Sequence, residues 1–115
     1  MRSIYFAAVY MTRGLTEVFP TAKIINIVSS SGLIPHKDNS AYGAAKSAET
    51  HFFQSLQREF DPKQYQITNL HPHNIASRGP APHAMKPADL AAFVRQLAEA
   101  NTSFYLREAT IYPLD

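Results

Sequence analysis

Cysteine is missing from all 115 residues, which excludes a disulfide framework, thiolate metal ligands and thiol redox chemistry, and fits a reducing cytoplasm. Glycine is scarce. Only Gly14, Gly32, Gly43 and Gly79 occur, and no three of them have the close spacing after a strand that cradles a phosphate at a helix N-terminus. An excess of one charge is also missing: the formal net charge is +2, and no run of Lys and Arg forms a stripe suited to nucleic acid. Long apolar runs are absent as well. The opening MRSIYFAAVYMTRGLTEVF carries Arg13 and Glu17 within a periodic pattern and has no small-residue cleavage site, so neither a signal peptide nor a membrane span is expected.

What remains is the profile of one domain, residues 1–115, that is 45% hydrophobic and 17% charged, enough apolar material for a core. Ile4, Ala8, Met11, Leu15 and Val18 recur every three or four residues, predicting a helix over 3–19 that stops at Pro20. KIINIV is short and β-branched, and predicts a strand over 24–28 buried on both faces, as in a parallel sheet. Ala41, Ala44, Ala45, Ala48, Phe52, Leu56 and Phe60 trace a helical stripe over 41–60, closed by Asp61 and Pro62. A strand at 66–70 follows, then a proline-rich loop, a helix over 87–99 opened by Pro87, and a strand at 109–112. Strands alternating with helices of this length predict an α/β layered fold, a three-stranded parallel sheet flanked by helices.

The chemistry concentrates in SSSGLIPHKDNSAYGAAK, residues 29–46. Ser29 follows a buried strand, while Tyr42 and Lys46 open the next helix one turn apart on one face. A phenol is a poor base at neutral pH, and a neighbouring ammonium favours the phenolate. A serine hydroxyl on the facing loop can hold a substrate oxygen while a tyrosine exchanges its proton, the arrangement of general acid–base catalysis with a positioned donor. A polar strand end and a half-buried tyrosine beside a solvated lysine would use the same residues without chemistry. His71 and His73 lie one residue apart, but no carboxylate or third histidine has metal-ligand spacing. A Ser-His-Asp hydrolase lacks its glycine-flanked nucleophile elbow.

With IINIVSSSG before YGAAK, the chain resembles the active-site region of the short-chain dehydrogenase/reductase family. In that family the serine precedes the tyrosine by thirteen residues, and 42 − 13 = 29 selects Ser29 over Ser30 and Ser31. The NLHP turn and the KPADLA helix follow in the family's order. The resemblance implies a partial Rossmann-like fold and hydride exchange between NAD or NADP and a small-molecule alcohol or carbonyl. It implies Tyr42 as general acid/base, Ser29 as the orienter of the carbonyl, and Lys46 as the cation that favours the phenolate and holds the nicotinamide ribose. Pro72, His73, Ile75 and Ser77 match the turn that, in the family, touches the nicotinamide end of the cofactor.

The departures set further expectations. The family's glycine-rich amino-terminal half has no counterpart in these residues, so the chain is expected to correspond to the carboxy-terminal, catalytic half. The family's additional active-site asparagine falls at Ser3 or Ile4, and His73 stands where the family turn has glycine. Two roles follow: an oxidoreductase that is inactive as a lone chain and needs a complementing nucleotide-binding half, or a degenerate member that serves self-association or partner binding. The resemblance also implies a homo-oligomer, since the family commonly assembles through the helices equivalent to 3–19 and 41–60, where Ala41, Ala44, Ala45 and Ala48 would permit close approach.

Overall fold

A computed structural model describes residues 2–28, 40–75 and 83–114. Six elements alternate along the chain: α1 (Arg2–Val18), β1 (Ala22–Ile27), α2 (Ser40–Glu59), β2 (Tyr65–Pro72), α3 (Pro87–Glu99) and β3 (Glu108–Ile111). The strands form one parallel sheet in the order β1-β2-β3, with Ala22 opposite Tyr65, Asn69 opposite Glu108 and Pro72 opposite Ile111. This is the α/β layered arrangement expected from the sequence, and each boundary falls within two residues of its expected place.

Alternation decides which residues meet which layer. Ile24, Tyr65 and Ile67 point to the α2 side of the sheet and form the core with Phe53 and Leu56, flanked by Ala22, Phe52 and Phe60. Burying side chains of this size contributes about 1.5–3 kcal/mol each. Phe60 lies against Tyr65 with ring centroids 5.0 Å apart, and the Tyr65 hydroxyl donates to the carbonyls of Thr16 and Phe19 at the end of α1. The turn after α2 is tied by Asp61, whose carboxylate accepts from the Lys63 amide and whose carbonyl accepts from the amides of Gln64 and Tyr65.

The two faces of the sheet are unequally covered. β2 is buried along almost its whole length, as the central strand should be. β1 was expected to be buried on both faces, yet only Ile24 is, and Ile27 is exposed. The reason is that β1 lies at an edge and that α3 covers the opposite face thinly, with no residue of its own buried. Lys23 joins those two elements: its ammonium donates to the carbonyls of Ala98 and Ala100, two of the groups that a helix C-terminus leaves unsatisfied.

Among the described side chains of α1, the apolar stripe does not face the core. Thr12 is buried, whereas Met11 and Val18, members of the apolar stripe that identifies this helix in the sequence, are 68% and 70% exposed.

A polar rung crosses the sheet on the α2 side. Asn26 donates to Asn69, Asn69 donates to Glu108, and Glu108 meets the ring of His71, so three strands share one chain of side-chain hydrogen bonds. Asn69 and His71 are wholly buried; Asn69 gains partners there, while His71 is paired through Nε2 and its Nδ1 has no partner among the described residues.

Candidate active site

Parallel pairing of β1 and β2 requires α2 to run back against the strands, so its first turn stands at the carboxyl end of the sheet, where α/β folds open their ligand crevices. Tyr42 and Lys46 occupy that turn and the next. Tyr42 is 41% exposed. The Lys46 ammonium lies 5.9 Å from the centroid of the Tyr42 ring, within reach of its negative face.

Lys46 has a second partner that the sequence reading did not include. Glu49 Oε2 lies 3.4 Å from Lys46 Nζ, and the two side chains are only 12% and 17% exposed. The i,i+3 spacing is the signal that could have found it. A carboxylate at this depth fixes where the ammonium sits, so Lys46 is held between the ring and Glu49 rather than free in solvent.

Ser29 and Ser77 lie outside the described residues. The residue before Ser29 is anchored: Val28 is buried and its amide donates to the Leu70 carbonyl at 2.7 Å.

The other expected site residues stand at and after the end of β2 in the chain. Pro72 is buried opposite Ile111, at a strand terminus where its lack of an N–H costs least. The His73 amide donates to the Ile111 carbonyl at 2.8 Å, and its ring lies 5.2 Å from that of Tyr112, drawn toward the end of β3. The residue with positive φ in this turn is the next one, Asn74, at 59°. Asparagine tolerates that region, so the turn is made one position after the family's glycine. Ile75 then pairs with Met85 in a short parallel bridge.

Tyr42 and Lys46 therefore stand together on α2, while Pro72 ends β2 and His73 and Ile75 follow it. Among the described residues no group of three His, Cys, Asp or Glu side chains could hold a metal, and no helix is long and apolar enough to cross a membrane.

The family model for short chain dehydrogenases matches residues 2–87. The chain belongs to the short-chain dehydrogenase family. Among solved structures, the serine dehydrogenase of Escherichia coli superposes with a TM-score of 0.75 at 24% identity, over 93% of this chain and 48% of that one. A short-chain dehydrogenase/reductase from Vibrio parahaemolyticus gives 0.75 at 20% identity, over 90% and 51%. A metagenomic short-chain oxidoreductase, solved in complex with NADP, gives 0.62 at 29% identity, over 79% and 39%. This chain thus spans about half the length of these relatives or less. No curated protein matches it.

Proposed function

We propose that the chain provides the catalytic side of an NAD(P)-dependent oxidoreductase acting on a small-molecule alcohol or carbonyl. The observation that carries this reading is the placement of Tyr42 and Lys46, one turn apart at the carboxyl end of a parallel sheet, with the ammonium 5.9 Å from the phenol ring. Under this reading, as the family resemblance implies, Lys46 would hold the nicotinamide ribose, and Pro72, His73, Ile75 and Ser77 would flank the ring. Nothing among the four glycines supplies the loop that receives a pyrophosphate, so a nucleotide-binding half outside these residues is part of the proposal.

Bound NAD(P)H would supply the hydride that reduces the carbonyl carbon. Tyr42 would donate its phenolic proton to the carbonyl oxygen as the alcohol forms, and take it back in the reverse direction. Ser29 would donate a hydrogen bond to the same oxygen and orient it. Glu49 would keep Lys46 in place while the ribose binds.

The test is complementation. Mixed with the amino-terminal half of a family member, the chain should turn over a carbonyl substrate with NAD(P)H, and Tyr42→Phe should lower that rate by at least about a hundredfold. The lone chain should show none above buffer background, since misplacement of reacting groups by about 1 Å already costs on the order of a hundredfold. No turnover in the complemented mixture would remove the reading.

A second reading is favoured by α1. Tyr10, Met11, Val18 and Phe19 expose large apolar surfaces on and just after one helix. Under this reading the chain is a non-catalytic family member that associates with itself through α1 and α2.

A further inference from the structure

The four arginines whose side chains are described divide into two pairs. Arg13 and Arg95 each lie beside a glutamate four residues on, at 3.5 Å and 2.9 Å. Arg58, near the end of α2, and Arg107, just before β3, have no hydrogen bond or ion pair from their guanidinium groups to any described residue. Both line a single cavity of about 590 Å³, together with His51, Gln54 and Ser55 of α2.

One carboxylate, Glu108, also lines that cavity, and it is already engaged. Its Oε1 accepts from Asn69 Nδ2 at 2.7 Å, and its Oε2 meets His71 Nε2 at 2.6 Å. Both partners are buried in the sheet, so the acid that could neutralise the two arginines is turned inward. The backbone carrying the arginines is fixed as well. Buried Gln57, next to Arg58, donates through Nε2 to the carbonyls of Ile67 and Arg107, both at 2.9 Å. This holds the last turn of α2 against the start of β3.

Two guanidiniums without a partner among the described residues line one cavity against one carboxylate, which leaves it with an excess of positive charge. A guanidinium presents a planar fork of donors that matches an oxyanion, and it does not shed its proton. A monocarboxylate would fill one fork, whereas a phosphate group offers oxygens and charge for both. His51, Gln54 and Ser55 add further hydrogen-bonding groups on the wall. We propose that this cavity binds a phosphate-bearing small molecule through Arg58 and Arg107. The site is separate from the catalytic end of α2, because sixteen residues of helix place Arg58 about 24 Å along the axis from Tyr42.

The probe is inorganic pyrophosphate, titrated into the full chain at low ionic strength and followed by calorimetry and by the side-chain Nε–H resonances of arginine. Saturable one-site binding is expected, with Kd on the order of 0.1–1 mM for so open a site. Arg58→Gln and Arg107→Gln should each weaken it about tenfold, the lysine replacements less, and Arg95→Gln not at all. Unchanged melting temperatures for these variants would show that the loss belongs to the cavity. Three results would overturn the proposal: no saturable binding at millimolar pyrophosphate, binding that survives both glutamine variants, or citrate binding more tightly than pyrophosphate. Binding that is lost in Lys46→Gln but intact in the Arg58 and Arg107 variants is a case of the second and would place the anion at the other end of α2.

Discussion

The Asn74 side-chain amide donates to the carbonyl of His83 across a 2.5 Å hydrogen bond, while the Asn74 carbonyl accepts from the Met85 amide at 2.8 Å. One residue with a left-handed backbone thus closes both ends of the segment between β2 and α3. Asn74→Gly keeps the backbone and loses the side-chain bond, so it should cost about 1 kcal/mol in urea unfolding. Asn74→Val loses both and should cost about 2–3 kcal/mol. Equal stability of the two variants would show that the backbone conformation carries no strain.

Glu108→Ala should destabilise the chain by about 2–3 kcal/mol, because it leaves buried His71 and Asn69 without the acceptor they share. Glu108→Gln retains one acceptor oxygen and should cost less. Chemical denaturation of the two variants side by side distinguishes this rung from a packing effect, which both would show alike.

Thr50 makes the opposite case. Its hydroxyl is buried and has no hydrogen-bond partner among the described residues. Thr50→Val removes the orphaned polar atom at constant shape, so stability should hold or rise by about 1 kcal/mol. A loss of more than about 1 kcal/mol would reveal a partner for the hydroxyl, such as a bound water.

Sedimentation at micromolar concentration should show a homodimer or larger assembly, since Met11, Val18 and Phe19 on and just after α1 are exposed. Met11→Glu combined with Val18→Glu should shift it to a monomer without lowering the helix content. Of the four alanines expected at such an interface, Ala45 is fully buried within the chain, which leaves Ala41, Ala44 and Ala48 to a partner. A monodisperse wild-type monomer would refute the association.

The layer order and all six elements were legible because local signals set them: Pro20 and Pro62 close helices, β-branched runs make strands, and the Tyr42–Lys46 spacing survives folding unchanged. The polar rung was not legible. Asn26, Asn69, His71 and Glu108 meet only through strand register, and Glu108 fell one residue outside its expected strand. The outward turn of the α1 stripe was equally hidden, since periodicity reveals that a helix has an apolar face and is silent on what that face meets. Glu49 escaped notice because an acid inside an alanine-rich helix reads as solvated until its burial is known.

Spatial order in the sheet repeats chain order, β1 then β2 then β3, so each strand pairs with the one just before it. Each parallel pairing still closes about forty residues of chain across one helix, from Ala22 to Tyr65 and from Asn69 to Glu108, so chain entropy is lost ahead of both. During synthesis, β1, α2 and β2 can dock as a unit that already holds Ile24, Phe53, Leu56, Tyr65 and Ile67 before β3 leaves the ribosome. The last strand then adds to a formed surface, and Glu108 arrives as the acceptor for two side chains already in place.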